Sequence, residues 1–139
     1  QGVTPSDDDR PGIVRGFPLR RNDHVTHSCI FCRIVHGEAP AAIVYADGAI
    51  TAFRDINPQA PTHILIVPNE HVPAVDALDA DDAEWVGRLL IVAREIARAE
   101  GVAADGYRLV INNGAQAGQS VAHLHLHLLG GRRLRWPPG

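Results

Sequence analysis

The chain is 139 residues long, 45% hydrophobic and 21% charged, with a formal net charge of −3. That length suits one domain with one sizeable core, and the mild negative charge excludes a global basic footprint for nucleic acid. No apolar run approaches the roughly 18 residues of a membrane span, and the start lacks the apolar stretch of a secretory signal, so cytoplasm is the expected compartment. All 13 basic residues are arginine, which excludes Schiff-base and P-loop lysine chemistry.

Residues 1–27 carry charge runs and prolines without periodicity and read as an extended arm outside the core. "CIFCRIVHGE" suits a short helix ended by Gly37, with Ile30, Phe31 and Ile34 on its apolar side. "AAIVYADGAITAFRD" is two strand-like runs joined at Asp47-Gly48, a hairpin signal. "THILIVPN" is a near-continuous apolar strand stopped by Pro68. "LDADDAEWVGRLLIVAREIARAEG" is the one long helix: Asp79 caps it, Asp81, Asp82 and Glu84 suit its positive end, and Gly101 ends it. Trp85, Leu89, Val92 and Ile96 recur there at helical spacing. "YRLVINN" and "VAHLHLHLL" are two further strands. Five strands joined by hairpins, with no strand–helix–strand alternation, predict an α+β fold with a mainly antiparallel sheet, one long helix and one short one.

The last strand-like run alternates His123, His125 and His127 with leucines. Period two sends Leu124, Leu126 and Leu128 to a core and the imidazoles to the opposite face. Three readings fit: polar strand residues, a metal site, or an acid–base and nucleophile array. Just before it, "NNGAQAGQSV" has Gly114 and Gly118 to turn the backbone tightly and Gln119 and Ser120 as donors. Such a loop is often only a turn, but beside imidazoles it suggests chemistry at a phosphate. Imidazole is a competent nucleophile near neutral pH, and attack on phosphorus splits one displacement into two.

The two cysteines, Cys29 and Cys32, are spaced C-x-x-C. Two thiolates plus two imidazoles make a closed structural zinc site; His63, His71 or a triad histidine could complete it. Three triad imidazoles without the cysteines would make an open catalytic site. Simple packing of two buried thiols and a redox pair are the alternatives.

"HLHLHLL" fits the motif of the histidine triad (HIT) family, and the chain resembles that family further. "FRDINPQAPTHILIVPNEH", "NNGAQAGQSVAHLHLHLLGG" and the final "WPPG" resemble its nucleotide-binding (HINT-type) branch of purine nucleoside phosphoramidases. The resemblance covers roughly residues 28–139, which it identifies as a HIT domain. It implies a hydrolase cleaving the P–N bond of purine nucleoside 5′-phosphoramidates of the AMP or GMP type through a nucleotidyl-histidine, with no catalytic cofactor. By that resemblance His125 is the nucleophile, His127 contacts phosphate and His63 belongs to the proton network beside His125. Ser120 helps protonate the leaving amine, while Asn112, Gly118 and Gln119 hold phosphate and sugar oxygens. Asp55 accepts from the ribose hydroxyls with Ile56 beside it, and Phe31, Ile34 and Phe53 wall the purine. Cys29, Cys32, His71 and His123 would hold a structural zinc, as in microbial relatives. The family also implies a homodimer with a ten-stranded sheet, in which Trp136 reaches the partner's site. Dinucleoside polyphosphate hydrolysis and non-catalytic nucleotide binding are the competing activities; no nucleic-acid or membrane partner is expected.

Overall fold

A computed structural model describes residues 28–139; the expected arm over residues 1–27 lies outside the described residues. Helix α1 spans Ile30–Val35, and strands β1, β2 and β3 span Ile43–Ala46, Ile50–Arg54 and Thr62–Pro68. Helix α2 spans Ala83–Ala99, followed by β4 at Tyr107–Ile111 and β5 at Leu126–Gly130. The strands form one sheet in the order β1-β2-β3-β5-β4, antiparallel at every step. This is the expected α+β architecture.

The two faces of the sheet are covered differently. On one face Ile50, Ile64, Ile66, Leu124, Leu126 and Leu128 pack against Trp85, Leu89, Val92 and Ile96 of α2. On the other, Phe31 and Ile34 of α1 cover Phe53, Leu65 and Val67. Strand β3 is central and buried along its whole length, which is why "THILIVP" reads as a continuous apolar run rather than an alternating one. Asp79 caps as expected, but it closes a capping box over the single tight turn Ala80–Asp82 that leads into α2. Buried Asp82 then accepts from the Trp85 indole at 2.8 Å, fixing the helix start to the core. Gly37 and Gly101, each at φ 77°, end the two helices in the left-handed conformation that glycine adopts without penalty.

One expected element is shorter than its pattern. The run "VAHLHLHLL" alternates throughout, yet regular pairing begins only at Leu126. In the β3–β5 register Ile66 faces Leu126, so the next positions would bring Leu124 opposite Pro68. Proline has no N–H to continue a ladder. Leu124 instead donates its N–H to the Val72 carbonyl at 2.6 Å. The inward and outward alternation survives: Leu124 is in the core and His123 and His125 lie on the α1 side, all three buried.

Candidate active site and metal centre

The irregular approach to β5 puts the first triad histidine beside α1. Cys29 caps that helix, its Sγ accepting from the Cys32 N–H, and C-x-x-C spacing sets both sulfurs on the same end. His71, just after β3, and His123 complete a cluster. Cys29 Sγ lies 3.3 Å and Cys32 Sγ 3.5 Å from His123 Nδ1; His71 Nδ1 is 3.2 Å from both Cys32 Sγ and His123 Nδ1. Tetrahedral zinc with two thiolates and two imidazoles needs ligand-to-ligand edges of about 3.3 Å between nitrogens, about 3.5 Å from nitrogen to sulfur and about 3.8 Å between sulfurs. The His123 Nε2–H donates to the Pro68 carbonyl at 2.9 Å, so Nδ1 is the lone-pair nitrogen turned to the cluster. Burial lowers the His123 pKa to about 4, keeping it neutral as a ligand must be. The donor set fits a closed four-coordinate ion. Of the histidines that could complete the thiol pair, His71 and His123 do so; His63 lies in a different group.

That second group is a chain of fixed tautomers. The Gln59 backbone N–H donates to His63 Nδ1 at 3.0 Å, so His63 carries its proton on Nε2. That Nε2 sits 2.9 Å from His127 Nδ1 and 3.4 Å from Asp55 Oδ2. His127 Nδ1 is thereby an acceptor, which leaves the His127 proton on Nε2. Burial lowers the His127 pKa to about 4, with the His125 and His63 rings adding to the effect, and burial lowers that of His63 as well. His125 donates Nδ1–H to the His123 carbonyl at 2.7 Å, leaving Nε2 unprotonated. Its ring packs edge-on to Phe31 at 5.1 Å and lies 5.0 Å from His127.

His125 and His127 line a cleft of about 320 Å³ together with Phe31, Ile34, Phe53, Asp55, Ile56 and Ser120. Eight of the residues expected at a nucleotide site thus line one cleft, which combines apolar side chains with two imidazoles, a carboxyl and a hydroxyl. His127 also borders a second, more open cleft of about 600 Å³ with His63, Arg108 and Asn112.

The family model described as the HIT domain matches residues 36–134. The chain belongs to the HIT family. Purine nucleoside phosphoramidase of Escherichia coli K12 is 53% identical over 105 residues, covering 76% of this chain and 88% of that protein. An uncharacterised HIT-like protein of Synechocystis is 52% identical over 110 residues, covering 79% of this chain and 96% of that one. Among solved structures, a HIT family hydrolase from Legionella pneumophila superposes with a TM-score of 0.79 at 52% identity, over 80% of this chain and 99% of that one. A histidine triad protein from Clostridium difficile gives 0.77 at 38% identity, over 84% and 97%.

Of the residues expected at the nucleotide site, three line neither cleft. Gln119 is committed inside its loop: its amide donates to the Pro73 and Val121 carbonyls and accepts from the Gly114 N–H. Gly118, at φ 85°, closes the same turn with its N–H on the Ala115 carbonyl. Trp136 is exposed and lies under the Arg108 guanidinium of its own chain at 5.7 Å. Sequence reasoning missed the three main-chain groups that set the histidine tautomers, the Gln59 N–H, the Pro68 carbonyl and the His123 carbonyl. Main-chain groups leave no signal in residue type, so no pattern could have found them. Among the described residues no helix is long and apolar enough to cross a membrane.

Proposed function

We propose that this chain hydrolyses the P–N bond of purine nucleoside 5′-phosphoramidates through a nucleotidyl-His125 intermediate. The observation that carries the reading is the tautomer of His125: its Nδ1–H is held on the His123 carbonyl, so Nε2 presents a lone pair within a cleft that has an apolar wall. Attack by Nε2 forms the N–P bond and breaks the bond from phosphorus to the leaving amine. The imidazole gains positive character as it does so, and its hydrogen bond to the carbonyl strengthens. Ser120, which lines the same cleft, is the group placed to pass a proton to the amine. His127 offers Nε2–H to a phosphate oxygen, its tautomer maintained by His63. Water then attacks phosphorus, its released proton restores the Ser120 hydroxyl, and His125 leaves as neutral imidazole with nucleoside monophosphate as product. Asp55 would take the ribose hydroxyls and the Phe31, Ile34 and Phe53 wall the base; Gly118 and Gln119 would act through the shape of the loop that presents Ser120, and Asn112 from the second cleft.

The Cys29, Cys32, His71 and His123 cluster would hold a structural zinc, which supplies a crosslink and no open coordination position. A homodimer is part of the same proposal. Strand β4 is an edge of the sheet, whose backbone groups are open to pairing with a second copy.

The test is amine release from adenosine 5′-phosphoramidate by the wild type and by His125→Ala, with diadenosine polyphosphate as the competing substrate. The expected loss in the variant is at least about 10³-fold. Retained turnover in the variant rejects the covalent mechanism, and faster polyphosphate cleavage moves the chain to the other hydrolytic activity.

A further inference from the structure

Phe31 lies between the two cysteines, and its ring touches both groups of histidines. It meets His123 edge-to-face at 5.8 Å and 75°, His125 at 5.1 Å and 81°, and Phe53 at 5.4 Å and 64°. Besides the His127 ring 5.0 Å away, the nucleophile ring has two supports: the Phe31 contact and the bond from its Nδ1–H to the His123 carbonyl. Both supports belong to the thiol–imidazole cluster. His123 is one of its four members, and Phe31 is flanked by two others, Cys29 and Cys32.

Helix α1 is six residues long. A helix that short does not persist on its own propensity and depends on tertiary anchoring. Its anchors are the apolar contacts of Phe31 and Ile34 and the two thiols facing His71 and His123. Releasing the thiols frees the end of α1 that carries Phe31.

We propose that Phe31 is a positioning residue for His125, and that metal occupancy at Cys29, Cys32, His71 and His123 tunes catalysis through it. The proposal rests on the reading of His125 as nucleophile. A crosslink across the four ligands pulls α1 onto the triad, and Phe31 restricts the His125 ring to the orientation that points Nε2 at the cleft. Emptying the cluster leaves the cleft residues of the sheet in place but loosens Phe31 and so widens the range of His125 ring orientations. Turnover falls while nucleotide affinity changes little, because positioning acts on the reacting geometry more than on ground-state binding.

The experiment compares zinc-loaded and chelator-stripped forms of wild type and Phe31→Leu. Zinc content, AMP affinity, kcat and the long-range ¹H–¹⁵N spectrum of the His125 ring are read on all four. Stripping should lower wild-type kcat by about five- to tenfold, the scale of one edge-to-face ring contact. AMP affinity should move less than about threefold, and the His125 ring signals should shift or broaden. Zinc-loaded Phe31→Leu should already show the lower kcat, and stripping it should cost less than about twofold more, because coupled perturbations do not add. An equal response to stripping in both proteins overturns the proposal, as does AMP affinity falling in step with kcat, which would make Phe31 only a cleft wall. Global unfolding on stripping, seen by circular dichroism, also overturns it, since the cluster would then hold the whole fold. Zinc-loaded wild type without any turnover sinks the hydrolase reading instead; the His125 spectra then decide the coupling by themselves.

Discussion

Acid should destabilise this protein over a window set by His127. Burial, aided by the His125 and His63 rings, lowers the His127 pKa from 6.5 to about 4. A folded-state value below the unfolded one means that the unfolded chain takes up the proton first. The stabilisation of the neutral ring is therefore fully present above about pH 6.5 and is lost as the pH falls toward 4. At about 1.36 kcal/mol per pH unit, a shift of this size is worth about 3 kcal/mol at most. His127 sits where two clefts meet, so water screens part of the effect, and a loss of about 1–2 kcal/mol between about pH 7.5 and 4.5 is expected. The assay is urea unfolding at both pH values for wild type and His127→Asn, whose side chain does not titrate. Metal release in acid is common to both proteins and cancels in the difference. The reasoning is refuted if His127→Asn loses as much stability as wild type over that interval.

His63→Ala should lower kcat by about 10²-fold, because His127 loses the donor that fixes its proton on Nε2. Added imidazole should restore part of the rate; a kcat within threefold of wild type would show that the relay is idle. His71→Ala should reduce bound zinc to well below one per chain, read by elemental analysis, and full retention would remove His71 from the ligand set. Gly130→Ala should destabilise the fold by about 1–3 kcal/mol in thermal or urea melts, since a Cβ there would lie 2.9 Å from the Val102 Cβ. An unchanged melting temperature would mean that the loop at Val102 yields freely.

The local alternations of the chain carried much of this. Period two in "HLHLHLL" was enough to send Leu124, Leu126 and Leu128 to the core and the histidines away from it. The spacing of Trp85, Leu89, Val92 and Ile96 defined the one long helix, and Cys29 and Cys32 marked a ligand pair. These features are legible because side-chain direction follows from backbone period alone. Where the pattern met a neighbour it failed: the His123–His125 stretch does not pair as a strand because its partner position is Pro68, and register is a property of two strands.

The grouping of the histidines is a property of the tertiary structure. His63 and His71 look alike in sequence, eight positions apart; one reaches His127 and the other the thiols. What separates them is the end of β3, beyond which the chain turns His71 toward α1. Tautomers likewise depend on single main-chain groups, the Gln59 N–H, the Pro68 carbonyl and the His123 carbonyl, brought within 3 Å or less of a ring nitrogen by folding. A hydrogen bond to the backbone leaves no trace in residue type. The sequence by itself therefore determined which side chains are candidates for the chemistry, and the fold decided which nitrogen of each one is held by the main chain and which is left for a partner.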